Sequence, residues 1–305
     1  MSPSIRLLIL TIPFLASIPT VSARDVPSNL QNLYTKLLKQ KSCKHPLSDR
    51  GFYSTEDGPD TYTYCGDHLS DFKILYIRGR GKGCLANMDV DCDGLQGGPG
   101  DDGRCSVGAS PDYQGITAFQ ETVASYNVSG VKDLNTYVHP YVVFGNEFES
   151  DDMRIDGYMR FDPAEYGVQP LSVMAVVCDG GKKLVYGVWG DTNGDDGAKS
   201  MVGEASLALA TACGGMEMSG SNGIDEEDVL YLAFTGTEAV PGAKGAKWDA
   251  GSFEEFEKSI EGLGDQLVRR ITEDGNASGT VRVSWGLMVW MFLALAGGHL
   301  GAYWI

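Results

Sequence analysis

Residues 183–194 read KLVYGVWGDTNG, and this stretch decides the fold class. β-Branched and aromatic residues fill its first part, and glycine, aspartate and asparagine end it, a pattern that predicts a strand followed by a turn. Similar runs occur at residues 72–77, 137–144, 172–177 and 229–234, each bounded by glycine or aspartate. The sequence therefore predicts a mainly β fold.

The glycine content and the helical patterns complete this prediction. The chain contains 40 glycines among 305 residues, which favours tight turns over long helices. An amphipathic stretch at 26–41 and a short helix-prone stretch at 204–212 are exceptions. Ser252 and Glu255 form a capping box, and the apolar stripe of a third helix follows at Phe253, Phe256, Ile260, Leu263, Leu267 and Ile271. The acidic, glycine-rich residues 87–108 are predicted to form an ordered loop.

Both ends of the chain carry processing signals. Arg6, an apolar run at 7–18 and the small residues 21–23 predict a signal peptide over 1–23, and hence secretion. Residues 285–305 contain no charged side chain and follow the small residues 276–278, the layout of a glycolipid-anchor (GPI) signal. A membrane-spanning or core helix is the alternative for this tail. We expect an N-terminal segment at 24–50, one domain at 51–272, and a spacer with a hydrophobic tail at 273–305.

The cysteines fit an exported chain. None of the seven forms a C-x-x-C pair, which argues against a zinc or thioredoxin-type site. Disulfides are expected in a secreted protein, and the odd count leaves at least one thiol unpaired within the chain. The pairing stays open. Asn127 and Asn276 begin glycosylation sequons.

The net charge limits the partners. At −17, the chain would repel the phosphates of nucleic acid and attract a cationic partner. Solubility is an equally good reason for such a charge.

Asp191 and Glu204 are the candidate catalytic residues. Asp191 ends the predicted strand, Glu204 begins a predicted short helix, and a glycine-rich loop between them allows both carboxylates to face one cleft. Hydrolysis of a glycosidic bond needs such a pair: one carboxylic acid protonates the leaving oxygen, and the other carboxylate activates water or attacks. The alternative is two surface acids in an acidic chain.

Three aspartates form a second acidic motif. Asp89, Asp91 and Asp93 precede Gly94 and match the first half of a calcium loop, but Gly100 occupies the position of the closing glutamate. We therefore predict no metal site. The row binds protonated amines of a sugar polymer or is a solvated acidic loop.

Four motifs carry a family resemblance. NMDVDCDG at 87–94, HPYVVFGN at 139–146, VYGVWGDTNG at 185–194 and GEAS at 203–206 resemble the fungal chitosanases of glycoside hydrolase family 75. The resemblance runs from about residue 53 to residue 271. It implies endo-hydrolysis of chitosan with inversion, catalytic acids at Asp191 and Glu204, and a six-stranded double-psi-type β-barrel with a few peripheral helices.

Roles within the site follow from residue environment. We expect Glu204 to be the general acid and Asp191 the base, without any cofactor. The expected substrate-binding residues are Asp89, Asp91, Asp93, Trp189 and Asn193, although an aromatic residue in a strand often belongs to the core. We expect a monomer that touches membrane only through an anchor. The rival functions are a non-catalytic wall-binding or wall-loosening module and a calcium-dependent adhesin.

Overall fold

The computed structural model describes residues 23–48, 51–81, 83–106, 113–147, 157–194 and 199–272. Within these ranges the strands are β1 (Arg24–Asp25), β2 (Phe52–Tyr53), β3 (Thr63–Cys65), β4 (Ile74–Arg78), β5 (Ala86–Asp91), β6 (Tyr141–Asn146), β7 (Val173–Cys178), β8 (Lys183–Asn193), β9 (Ser200–Met201), β10 (Glu204–Ser206) and β11 (Ile224–Phe234). The helices are α1 (Ser28–Lys39), α2 (Gln120–Ser125), α3 (Leu207–Gly214), α4 (Gly242–Gly245) and α5 (Phe253–Val268). The prediction of a mainly β fold with a few helices is confirmed.

Nine strands form one mixed sheet, and β2 and β9 pair separately. The pairings run from β8 to β6, β10, β5, β11 and β7, and β7 pairs with β8 again. Strands β6 and β8 are parallel, as are β5 and β10, while the other four pairings of this circuit are antiparallel. In this closed series of six paired strands, two other strands therefore separate β5 from β8 in either direction.

Strands β6 and β7 are apolar at nearly every position because both of their faces are buried in the core. All six residues of β6 and all six of β7 are buried, as expected for strands covered on both faces. Helix α5 packs against β7 and β8. Gly264 permits this close packing, because a Cβ atom there would lie 2.5 Å from the ring of Tyr186.

The N-terminal segment packs against the domain. Strand β1 extends the sheet beside β8, and Arg24 forms ion pairs with Glu257, Glu261 and Asp265 on α5. The apolar face of α1 is buried in the core. The predicted signal peptide, except for Ala23, and the predicted tail lie outside the described residues. Within the described residues, no helix is both long enough and apolar enough to cross a membrane.

Two predictions about local structure are wrong. Residues 86–91 form strand β5 rather than a loop, because Ala86 and Met88 lie in the core while the segment pairs with β10 and β11. Glu204 belongs to strand β10 rather than to a helix. The helix begins three residues later because the Ser206 side chain accepts a hydrogen bond from the backbone N–H of Leu209 and caps α3.

The cysteines form three disulfides: Cys43–Cys65, Cys92–Cys105 and Cys178–Cys213. This confirms the expectation of disulfides and assigns the odd thiol to Cys84, which is partly buried. The Cys92–Cys105 bridge closes the loop that follows β5 and carries Asp93. It therefore restrains the chain beside the candidate catalytic residues.

Candidate active site

A β-bulge places Asp191. Val142 and Val143 of β6 pair with Trp189 and Asp191 of β8, so Gly190 is an extra residue in the ladder. A Cβ atom on Gly190 would lie 2.4 Å from Cβ of Tyr141, so only glycine allows this approach. Bulges commonly redirect side chains beside active sites, and this one sets the direction of Asp191.

The Asp191 carboxylate lies just inside the protein. Its Oδ1 accepts hydrogen bonds from the backbone N–H groups of Ala118 at 2.9 Å and Thr192 at 2.8 Å. Its Oδ2 is buried and has no hydrogen-bond partner among the described residues. Burial raises the pKa of Asp191 well above its ordinary value, the Ala118 bond opposes this shift, and the negative charge of Asp93 adds to it. The group therefore holds a proton more readily than a free aspartate does.

Glu204 lies two strands away from Asp191. Val143 of β6 pairs with Asp191 on one side and with Glu204 on the other, which separates the two backbones by about 10 Å at normal strand spacing. The Asn193 side chain donates a hydrogen bond to Oε2 of Glu204 at 3.2 Å, which connects β8 with β10. Glu204 is half-buried. The structure thus brings both predicted carboxylates to one region, with Asn193 between them.

The predicted aspartate row divides into an exposed and a buried part. Asp89 is exposed and lies opposite Glu204 in register. The surrounding protein, together with the charges of Asp225 and Glu56, raises the pKa of Asp89 to about 6. A side chain that is solvent-accessible yet surrounded by protein lies in a concave surface, so Asp89 marks an open cleft.

Asp91 is buried, and Asp93 is half-buried. Carboxylate oxygens of Asp91, Asp93 and Asp191 lie within 4.8 Å of one another, a spacing that could hold a metal ion. Asp89 is not part of this group. Because Asp89 and Asp91 lie in a strand, the segment also differs from the helix–loop–helix arrangement of a calcium hand.

Trp189 does not present its ring to solvent. It is 3% exposed, packs edge-on against Phe119, and donates a hydrogen bond from Nε1 to the backbone oxygen of Asp191 at 2.9 Å. In this structure it supports the backbone of Asp191, and the core alternative describes it better than sugar stacking.

Sequence reasoning missed the segment at 113–118 that covers the aspartates. The backbone N–H of Gln114 donates to the Asp93 carboxylate, and that of Ala118 donates to Asp191. Tyr113, at the start of this segment, is a large aromatic side chain that is 47% exposed. No motif identified these residues, because main-chain donors leave no signature in side-chain identity.

His139 and Tyr141 of the HPYVVFGN motif have structural contacts. Asn135 N–H donates to Nδ1 of His139 at 2.8 Å, and Nε2 is bonded to the backbone oxygen of Trp248 at 3.0 Å. Burial lowers the pKa of His139 to about 4, so the ring is neutral. The Tyr141 hydroxyl donates to the backbone oxygen of Asp93 at 3.0 Å and fixes the loop after β5.

This arrangement fits one reaction class. Two carboxylates on either side of a strand, next to an open and strongly acidic cleft, are the groups that a glycoside hydrolase uses.

Comparison with known proteins gives the family. Residues 88–270 match the family model described as fungal chitosanase of glycosyl hydrolase group 75. The chain belongs to this family and is a glycoside hydrolase. It is similar to endo-chitosanase B of Aspergillus oryzae, with 43% identity over 83% of this chain and 94% of the relative. An endo-chitosanase of the same species is 44% identical over 81% and 92% of the two chains. That of Aspergillus fumigatus is 41% identical over 83% and 94%.

Proposed function

We propose that this protein is an endo-chitosanase that hydrolyses β-1,4 linkages between glucosamine residues of chitosan with inversion at the anomeric carbon. The observation that carries the proposal is the placement of Asp191 and Glu204 on either side of Val143 in a chain of this family. Inverting enzymes separate their carboxyl groups by about 6.5–9.5 Å, and retaining enzymes by about 5–5.5 Å. Two strand spacings between the backbones favour the wider separation.

Glu204 is the general acid and Asp191 the general base in this proposal. Glu204 is half-buried and borders the cleft, where it can protonate the leaving oxygen. Asp191 accepts two backbone N–H bonds, which stabilise its ionised form and leave lone pairs for the attacking water. The raised pKa of Asp191 acts in the opposite direction, so the base needs a further stabilising contact.

The cleft binds the substrate through its charge. Asp89, Asp93 and Asn193 are accessible and border Glu204 or Asp191, and their oxygens can accept hydrogen bonds from the ammonium groups of glucosamine. Asp91 is only 5% exposed, and its carboxylate lies within 4.8 Å of that of Asp191, so it lies beside the base rather than at the surface where the sugar binds. Tyr113, rather than Trp189, is the aromatic residue that stacks on a sugar ring. Its side chain is exposed and lies on the segment that covers the aspartates.

A six-stranded double-psi barrel is the fold that this proposal implies. The closed circuit of pairings among β5, β6, β7, β8, β10 and β11 supports it. Asp91 on β5 and Asp191 on β8 meet although their strands lie on opposite sides of the circuit, as side chains directed toward a barrel axis would.

Export and anchoring complete the proposal. Three disulfides and an exposed sequon residue, Asn127, are consistent with passage through the secretory pathway. The protein is secreted as a monomer and held at the cell surface by a glycolipid attached near residues 275–278, once the tail is removed.

The test is single replacement of each catalytic carboxylate. Glu204→Gln removes the transferable proton and Asp191→Asn removes the base, so each variant should lose about a hundredfold to ten-thousandfold in turnover. Binding to chitosan should persist. Nuclear magnetic resonance of the first products of the wild type should show the α anomer. Near-normal turnover in either variant places the catalytic acids elsewhere. Binding without any turnover in the wild type favours the non-catalytic wall-binding module.

A further inference from the structure

The segment at 113–118, which covers the aspartates, contains no helix or strand. Five of its six residues are exposed, and only Thr117 is buried. The next residue, Ala118, supplies the backbone N–H that donates to Oδ1 of Asp191 at 2.9 Å. Because no sheet or helix holds the segment, the position of this donor depends on how Thr117 is held.

Asp133 holds Thr117 with both of its carboxylate oxygens. Its Oδ2 accepts a hydrogen bond from the backbone N–H of Thr117 at 2.9 Å, and its Oδ1 accepts one from the Thr117 hydroxyl at 2.6 Å. The backbone N–H of Leu134 donates to Oδ1 as well, at 2.8 Å. Burial raises the pKa of Asp133, and these three bonds oppose that shift because they favour the ionised form. Hydrogen bonds to an ionised carboxylate are about twice as strong as those between neutral groups, so Asp133 fixes the backbone at residue 117.

Both neighbours of Ala118 are attached to ordered parts of the fold. On one side, the carboxylate that holds residue 117 precedes Leu134, whose backbone oxygen accepts a hydrogen bond from the N–H of Leu95 at 2.8 Å. On the other side, Phe119 packs edge-on against the buried ring of Trp189 in β8. The N–H of Ala118 is therefore held between two fixed points.

The second backbone donor to Asp191 does not need this segment. It is the N–H of Thr192, the next residue of β8, at 2.8 Å from Oδ1. We propose that Asp133 is a positioning residue that, through Thr117, directs the backbone N–H of Ala118 at Oδ1 of Asp191 and so helps to keep this carboxylate ionised. The inference rests on the proposed role of Asp191 as the base, and it adds a residue outside the cleft to the machinery of the reaction.

Asp133 acts on Asp191 in two opposite ways. Burial is the main reason why the pKa of Asp191 is raised, the Ala118 bond lowers it, and the negative charge of Asp133 raises it. The other ionisable groups of the site stay the same when residue 133 or 117 is replaced: Asp91, Asp93, Tyr141 and Glu204. Loss of Asp133 therefore lowers the pKa of Asp191 if charge is its main effect, and raises that pKa if positioning is.

Two variants test the direction of this change. Thr117→Val keeps the shape of the buried side chain and the charge of Asp133 but removes the hydroxyl donor, so kcat should fall by about threefold to tenfold. Asp133→Asn offers one acceptor oxygen instead of two, so a donor of Thr117 or Leu134 loses its partner. Here kcat should fall by about tenfold to a hundredfold, since the Ala118 donor is displaced.

The pH profile should change in the same sense in both variants. A weaker Ala118 bond raises the pKa of Asp191, so the acid limb of kcat should move to higher pH. KM should stay within about twofold, because a positioning residue does not touch the sugar. Thr117→Ser keeps the hydroxyl and should retain both kcat and the acid limb of wild type. An acid limb that stays in place or moves to lower pH in Asp133→Asn and Thr117→Val would overturn the proposal.

Two controls separate positioning from charge and from stability. Glu226→Gln removes one negative charge from an exposed position of β11. Asp67→Asn alters another aspartate that holds a loop, since its Oδ1 accepts hydrogen bonds from the backbone N–H groups of Lys44 and His45. Asp67 follows β3 at the edge of the sheet. It should lower the melting temperature, and neither control should move the acid limb. The same upward shift in Asp67→Asn would make the shift a general effect of lost stability and refute positioning by Asp133.

Hydrogen exchange at the Ala118 amide tests the contact without any measurement of activity. In wild type this amide should be protected, and it should exchange at least about tenfold faster in Asp133→Asn and Thr117→Val but not in Thr117→Ser. Unchanged protection in the first two variants would overturn the proposal whatever their turnover. Retained turnover in Asp191→Asn would instead refute the proposed function, and the exchange result would still show whether Asp133 holds this donor.

Discussion

Asp89, a proposed substrate-binding residue, also lowers the stability of the folded protein when it is ionised. Its pKa is raised to about 6 by the surrounding protein and by the charges of Asp225 and Glu56. Ionised Asp89 is therefore more costly in the folded protein than in the unfolded chain, where its pKa is about 3.9. A protonated amine beside it would reduce that cost, because an opposite charge favours the ionised form.

Replacing Asp89 by Asn should separate these two effects. KM for chitosan should rise by about twofold to fivefold, the range of an exposed ion pair, while kcat stays within about twofold. The melting temperature should equal that of wild type below about pH 4. It should exceed that of wild type by an amount that grows between about pH 4 and pH 6 and then stays constant, because above the folded pKa Asp89 is ionised in both the folded and the unfolded wild type. Glu226→Gln controls for overall charge. A collapse of kcat would instead place Asp89 among the catalytic acids.

At the scale of elements, the bulge in β8 positions Asp191, the proposed catalytic base. Gly190→Ala would place a Cβ atom 2.4 Å from Cβ of Tyr141 and 2.6 Å from Cδ1 of Leu134. We expect a loss of about 1–3 kcal/mol of stability from overpacking. We also expect about a hundredfold loss of turnover, because displacements near 1 Å have effects of that size. Thermal melts and steady-state kinetics measure both.

Gly262→Ala is the control for this prediction. Gly262 lies on the exposed face of α5 with no atom within 4 Å of an added Cβ. Alanine there should stabilise the protein by about 0.5–1 kcal/mol through helix propensity and leave turnover unchanged. Normal activity in Gly190→Ala would show that β8 can shift without moving Asp191.

The Cys92–Cys105 bridge should matter more for activity than its contribution to stability suggests. Removing it with two serines should cost about 3 kcal/mol, from the entropy of a loop of 13 residues. Turnover should also fall, because the bridge restrains the loop that carries Asp93. Removing Cys178–Cys213, which spans 35 residues, should cost about 4 kcal/mol and leave turnover unchanged. If removing either disulfide changes turnover by the same factor, the Cys92–Cys105 bridge has only a structural role.

Individual strands and helices show which parts of the fold can be predicted from the sequence and which cannot. Strands β7 and β8 were predictable because β-branched residues fill them, and α5 because its cap and stripe are local patterns. Strand β5 was missed because Asp89 and Asp91 alternate with the core residues Met88 and Val90, and such an acidic run resembles a loop.

The candidate site shows the same limit. Motifs identified Asp191 and Glu204, but the contact of Ala118 with Asp191 joins residues 73 positions apart. The backbone donor at Ala118 carries no signature in its side chain, so only the folded structure could reveal it. The same holds for the proximity of Asp91 to Asp191, which depends on how distant strands meet.

At the scale of the whole molecule, the described residues end at 272, and the run at 285–305 without aspartate, glutamate, lysine or arginine is predicted to be a glycolipid-anchor signal. Expressed in a fungal host, the protein should remain on cells until a phospholipase that cleaves glycolipid anchors releases it in active form. A variant truncated after residue 272 should appear in the medium without treatment. Retention of the full-length protein after phospholipase would instead identify the tail as a membrane-spanning helix.

The position of β6 between Asp191 and Glu204, the proposed catalytic carboxylates, has a consequence for laboratory evolution. The span from Asp191 to Glu204 is set by backbone hydrogen bonds through Val143 rather than by the choice of side chains. Selection on surface loops or cleft residues can therefore alter rate, chain-length preference or tolerance of acetyl groups while this span stays constant. Under the proposed inverting mechanism, converting the enzyme into a retaining catalyst, and with it into a tool for joining sugars by transglycosylation, would require rebuilding a strand of the sheet.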